Sequence, residues 1–249
     1  MGNTVIYERK GKVGIIKLNR PSVLNAVNDE LINDFIQALR EAKDDAEARV
    51  LLLKGEGRAF CAGADLKEGV IDRSLEDYRE HAINIQEIGR LMLKMDRPII
   101  AAIHGYAVGA GLEFTINCDI RIAAEGTQFF SPETSVGATV TTGATKLIPS
   151  VIGLGRAFEF FFTGKRLDAN EAKEWGLVNR VVSLEELDKV AMETAESIAE
   201  NYPLALALNR GSVYYGLGAS LEDVFDEEIK AACISFASGE RKTGMRRDK

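Results

Sequence analysis

Apolar positions along this chain fall into two rhythms: short unbroken runs, and longer stretches that recur at helical spacing. TVIYERKGKVGIIKLN predicts two strands around a Lys-Gly turn. NDELINDFIQALREAKDD predicts an amphipathic helix, with Leu31, Phe35, Ile36 and Leu39 on one face and Asn28 or Asp29 as its cap. RVLLLKG is continuously apolar, as in a strand buried on both faces of a parallel sheet. Between residues 74 and 95, Ile85, Ile88, Leu91, Met92 and Met95 recur at helical spacing. RPIIAAIHG then predicts a buried strand, GAGLEFTINCD a helix and IRIAAEG another strand. Helices are expected around GATKLIPSVIG, GRAFEFFFTG and DANEAKEWG, followed by the strand LVNRVV and a mostly helical last quarter. This alternation predicts an α/β fold with parallel pairing and a helical C-terminal extension.

Composition narrows the class. The 249 residues suit one large domain, or one with a small appendage, and can bury a core without staples. A net charge of −7 leaves no basic face expected for nucleic acid. The N-terminal MGNTVIYERKGK has no apolar signal-peptide core. The apolar region 98–116 is long enough for a membrane span, but it holds His104, Glu113 and several glycines. It is read as a buried strand leading into a buried helix, so no membrane partner is expected. Cys61, Cys118 and Cys233 are odd in number and far apart, which fits free thiols in a reducing cytoplasm. With two histidines and no CxxC pair, no metal site is expected.

Several chemistries fail on spacing. Gly109 and Gly111 begin a G-x-G-x-x-G fingerprint, but Phe114 occupies its last glycine position. The TGK at Thr163–Lys165 lacks the first glycine of a phosphate-binding loop, and ETSVG lacks the first glycine of a nucleophile elbow. Chemistry is left to carboxylates and backbone groups.

Two segments share one logic. FCAGADL follows the strand RVLLLKG, and YAVGAGLE follows RPIIAAI. Each ends a strand in small residues that let a ligand approach the backbone, and each can open a helix whose first amides lack internal partners. Two such amides converging on one oxygen make an oxyanion hole, each donor contributing roughly 3 kcal/mol to a developing anion. Glu113 falls one helical turn after Ala110, and Glu133 follows the strand-like QFFSP. Two carboxylates beside such a hole suit proton transfer next to a carbonyl. Taken alone, each small-residue run also fits tight helix–strand packing, each glutamate fits a helix start, and Asp65 fits a loop brace.

Together these segments resemble the enoyl-CoA hydratase/isomerase, or crotonase, superfamily over almost the whole chain. NRPSVLNAV is similar to the family's NRP-x-x-x-NA segment, FCAGADLKE to its A-G-A-D loop, and PIIAAIHGYAVGAGLEFTINCDIRIA to its longest motif. FFSPETSVG resembles the PE-x-x-x-G segment, and FTGKRLDANEAKEWGLVNRVV the A-x-x-A-x-x-x-G-L-V-x-x-V-V segment. The resemblance implies a spiral of ββα turns over 1–195, and a helical trimerisation region over 196–249 as part of the same domain or a small subdomain. It implies an oxyanion hole at the amides of Ala62 and Ala110, catalytic roles for Glu113 and Glu133, and substrate contacts at Val23, Leu24, Ala64, Asp65, Leu66 and Gly109. No cofactor is implied, because coenzyme A is part of the acyl-CoA substrate. The expected assembly is a homotrimer or a dimer of trimers.

The paired glutamates favour hydration of a 2-enoyl-CoA. Double-bond isomerisation, thioester hydrolysis or ring-acyl chemistry on the same scaffold is the alternative. A non-catalytic or RNA-binding relative is disfavoured by the acidic charge and the intact glutamates. The chain departs from the family pattern in four places. GAG replaces GGG, and TVTTGATKL replaces PG-x-GG-T, bringing in Thr139, Thr141, Thr142 and Thr145. These threonines fit either a reshaped acyl pocket or plain capping and turn chemistry. Ser22 stands where many hydratases have a lysine, and GMRRDK replaces the usual tail, so the tail contact to coenzyme A is either missing or supplied by Arg246 or Arg247.

Overall fold

A computed structural model describes residues 3–67 and 73–240. The tail that carries Arg246 and Arg247 lies outside the described residues. The chain opens with the expected hairpin, β1 (Val5–Lys10) against β2 (Val13–Leu18). It then winds in a spiral. The first turn runs from β2 past Val27 into α1 (Asp29–Asp44), which Asn28 caps by accepting from the Leu31 N–H at 2.9 Å. The second runs from β3 (Val50–Gly55) past residues 61–64 to α2 (Leu75–Leu93). The third runs through β4 (Ile99–Ile103), β5 (Tyr106–Val108) and α3 (Ala110–Ile116). The fourth runs through β6 (Ile120–Ala124), β7 (Gln128–Phe130) and α4 (Ala144–Ile152). After it come α5 (Leu154–Thr163), β8 (Leu167–Asp168), α6 (Ala169–Glu174) and β9 (Arg180–Val182).

Among the described residues, the first strand of each turn joins a six-stranded sheet of order β1-β2-β3-β4-β6-β9, parallel except for the hairpin. The unbroken apolar runs are explained by burial on both faces. Ile16, Leu51, Leu53, Ile99 and Ala101 point into the main core with α1 and α2. Their alternating neighbours Val13, Ile15, Val50, Leu52 and Ile100 point the other way, onto α7 (Leu184–Ala199). That helix presents Leu187, Ala191, Ala195 and Ala199 at helical spacing, and the alanines let its backbone lie close to the sheet.

The second strand of each turn belongs to a smaller layer, β5-β7-β8, extended by single bridges between Cys61 and Ala107 and between Val27 and Ala64. This layer puts the two small-residue loops side by side. Asn25 fastens the first turn to it: its Nδ2 donates to the carbonyls of Glu56, Ala59 and Phe60 at 2.9, 2.8 and 3.1 Å.

The chain ends in α8 (Pro203–Gly216) and α9 (Leu221–Ser238). The boundary expected after residue 195 falls inside α7. Arg210 of α8 is buried and reaches Asp119 at 2.8 Å and the carbonyls of Met92, Leu93 and Met95 at 2.8, 2.9 and 2.7 Å. Tyr214 adds a bond from its hydroxyl to Asp119 at 2.8 Å. No helix among the described residues is long and apolar enough to cross a membrane.

Candidate active site

A cavity of about 670 Å³ opens where the two small-residue loops meet. Leu24, Ala62, Ala64, Leu66, Gly109, Ala110, Glu113 and Glu133, all singled out in the sequence, line it. The glycines around it are fixed by space and backbone angle. Gly109 has φ +50°, and a Cβ there would stand 2.6 Å from Oε1 of Glu133. A Cβ on Gly111 would meet Cys61 at 2.6 Å, and Gly63, at φ +89°, lies against the Val108 carbonyl. The small residues therefore serve packing and access together: the two loops touch, and Glu133 lies over the backbone of Gly109.

Hydrogen bonding decides which amides remain available. The Cys61 N–H donates to Tyr106 at 2.9 Å, and the Ala62 N–H donates to Leu24 at 3.0 Å. The Gly63 N–H is turned to the Cys61 sulfur, and the Asp65 N–H donates to Val27 at 2.9 Å. The Ala64 N–H has no acceptor among the described residues. This corrects the expectation for Ala62: its amide is engaged in the layer, and Ala64, two residues on, carries the open one. The Ala110 N–H begins α3 and likewise has no acceptor among the described residues. Among the described residues only this second loop opens a helix directly; the next described helix after FCAGADL, α2, begins at Leu75.

Two expected contacts point elsewhere. Asp65 is buried and braces its loop, pairing with Arg20 at 2.8 Å and accepting from the Lys67 N–H at 3.1 Å. Val23 closes a short 3-10 turn and faces solvent, because Leu24 and Asn25 adopt left-handed angles (φ 54° and 57°) that turn the chain inward after it.

The two glutamates are held differently. Glu113 is 2% exposed on α3. Its Oε2 accepts from the Thr141 N–H at 2.8 Å, the Thr142 N–H at 2.6 Å and the Thr142 hydroxyl at 2.9 Å. Burial pushes its pKa above the ordinary carboxylate value; the three threonine donors pull it down, and the charge of Glu133 pushes it up again. All three donors fall on one oxygen, which leaves Oε1 for a ligand. Glu133 begins a 3-10 turn after Pro132, and its Oε2 accepts from the Ser131 hydroxyl. The threonine cluster thus divides its work. Thr142 secures Glu113, whereas Thr139 and Thr141 line the cavity. Ser131 went unrecognised in the sequence, although its place two residues before Glu133 was a usable signal.

A wall of Tyr78, His81, Ala82 and Ile85 from α2 closes the cavity. Cys61 is not a competing nucleophile. It is buried, its Sγ lies 3.1 Å from the Asn25 carbonyl, and burial pushes its thiol up to about 12. Among the described residues no cluster of candidate metal ligands forms.

Known proteins resemble this chain over nearly its whole length. The family model described as enoyl-CoA hydratase/isomerase matches residues 8–248. A short-chain-enoyl-CoA hydratase of Clostridium acetobutylicum is 34% identical, over 98% of this chain and 93% of that protein. A crotonyl-CoA hydratase of Syntrophomonas wolfei is 33% identical, over 97% and 93% respectively. The crystal structure of an enoyl-CoA hydratase from Bacillus anthracis superposes with a TM-score of 0.94 at 35% identity, covering 98% of this chain and 95% of that one. Matched by the family model over nearly its whole length, this chain belongs to the enoyl-CoA hydratase/isomerase family.

Proposed function

We propose that this protein is an enoyl-CoA hydratase, a hydro-lyase adding water across the 2,3 double bond of a 2-enoyl-CoA. The observation that carries this reading is that Glu113 and Glu133 line one cavity with the open amides of Ala64 and Ala110. The similarity to named hydratases supports it.

In this mechanism the thioester carbonyl accepts from the Ala64 and Ala110 N–H groups. Glu113, through Oε1, and Glu133 hold a water against Cβ. The water oxygen bonds to Cβ while the π pair moves toward the thioester, forming an enolate whose oxygen the two amides stabilise by roughly 3 kcal/mol each. Glu133 delivers a proton to Cα, and the proton released by the water remains on the glutamate pair, ready for the next cycle. The substrate supplies coenzyme A, and no further cofactor takes part. Purified enzyme mixed with a short 2-enoyl-CoA should remove the absorbance of the conjugated thioester and yield 3-hydroxyacyl-CoA. No loss across a chain-length series at high enzyme concentration overturns the reading.

The assembly proposed with it is a homotrimer or a hexamer built from two trimers. Its support is the apolar surface of α8 and α9, where Val213, Leu221, Phe225, Ile229 and Phe236 are exposed. Sedimentation as a monomer contradicts it. Buried free thiols at Cys61 and Cys118 fit the reducing cytoplasm proposed as its location.

A further inference from the structure

The α2 wall of the cavity carries polar chemistry that hydration leaves unused. His81 lines the cavity, and its side chain is 10% exposed. Its Nδ1 lies 2.7 Å from Oδ1 of Asp29, a residue outside the cavity that also accepts from Arg73 at 2.9 Å. A carboxylate only accepts, so Nδ1 carries the proton and the ring is held in one orientation and tautomer. Nε2, on the opposite edge of the ring, has no hydrogen-bond partner among the described residues, and the residue lines the cavity. A ligand hydroxyl can hydrogen-bond to this nitrogen, whereas an alkyl chain cannot. Tyr78 is adjacent, its ring centroid 6.3 Å from the imidazole, and its hydroxyl both donates and accepts.

We propose that the α2 wall selects an enoyl-CoA whose acyl chain bears a neutral hydroxyl, distinct from the one that hydration creates, which hydrogen-bonds to His81 Nε2 beside Tyr78. This rests on the hydratase reading and adds its substrate class. Charge favours a neutral group over an anion. The cavity already holds Glu113 and Glu133, whose charge disfavours a third carboxylate, and the Asp29 carboxylate also pairs with Arg73. Asp29 acts through His81 and is a positioning residue.

The test compares 2-enoyl-CoA substrates of equal length ending in methyl, hydroxyl or carboxylate. Wild-type kcat/KM for the hydroxyl substrate should exceed that for the alkyl one by about tenfold or more, because a site built for a hydroxyl discriminates against its absence. In His81→Leu that ratio should fall to about one. Turnover of none of the three sinks the hydratase reading itself. Equal turnover of alkyl and hydroxyl substrates by wild type, or preference for the carboxylate, overturns the His81 proposal alone. Imidazole ¹⁵N spectra decide the matter even where the variant fails to fold, since the chain has only two histidines. A saturated hydroxyalkanoyl-CoA should shift the His81 Nε2 resonance and the alkanoyl-CoA should not; identical spectra overturn the proposal.

Discussion

Oε1 of Glu133 stands 2.6 Å from where a Cβ on Gly109 would be, so a side chain at Gly109 and this carboxylate would compete for the same space. Gly109→Ala must therefore displace the carboxylate and also hold a side chain at φ +50°, a strain of about 1–3 kcal/mol. Hydration should fall about a hundredfold or more in kcat, with a drop of a few degrees in Tm. Steady-state rates and a melting curve check both, and an active Gly109→Ala enzyme contradicts the placement of Glu133.

Glu133→Gln keeps the shape of the side chain and removes its proton chemistry. Hydration should fall by a factor of about 10² to 10⁴, the range for losing a general acid–base group. Exchange of the Cα proton with deuterated solvent should disappear with it. Exchange that persists while hydration is lost separates the two events and counts against Glu133 as the Cα proton donor.

The threonine hydroxyl on Glu113 gives a prediction in pH. Hydrogen bonds to the ionised carboxylate oppose the upward push of burial. Thr142→Val removes one donor and leaves the two backbone N–H donors in place. The pKa of Glu113 should rise, so the acid limb of kcat/KM should move to higher pH. Thr142→Ser, which keeps a hydroxyl, should restore the wild-type profile. A limb unmoved in Thr142→Val shows that the backbone donors suffice.

Glu113 should also cost the protein stability. Its folded-state pKa lies above its unfolded one, so the folded chain binds this proton more tightly. The stability this contributes is present below the unfolded value and is lost as pH rises through the folded one. Glu113→Gln cannot ionise. Relative to wild type its stability should therefore rise with pH above about 4.5, then level off once wild-type Glu113 is ionised. Activity should be lost throughout. Urea titrations of both proteins across pH measure the difference, and a gap that does not change with pH contradicts it.

How much of this was legible in the sequence depended on distance along the chain. The buried strands were readable because continuous apolar runs leave few alternatives, and both glutamates because each stands at a fixed offset from a small-residue run or a Ser-Pro. The open amide was misassigned from Ala64 to Ala62 for a register reason. Cys61 and Ala62 donate to Tyr106 and Leu24, partners about 40 residues away on opposite sides of the loop. No local spacing encodes which residue meets which across such separations. Short β5 and β8 were missed as strands for a similar reason, each being two or three residues long and defined by its neighbours. The role of Thr142 was open between pocket and cap because its partner, Glu113, lies 29 residues earlier. His81 and Tyr78 gave no local signal, since their significance comes from Asp29 and from facing the same cavity.

Arg210 has a consequence for where this chain can be shortened. Its guanidinium closes the end of α2 at Met92, Leu93 and Met95 and meets Asp119, which in turn accepts from the Ile99 N–H at the start of β4. A chain stopped near residue 200 would keep every strand of the large sheet and every residue lining the cavity. It would nevertheless leave an acidic group and three carbonyls without their donor beneath the same helix that forms the acyl wall. The helical end is therefore a keystone of the catalytic half and not a detachable handle for assembly.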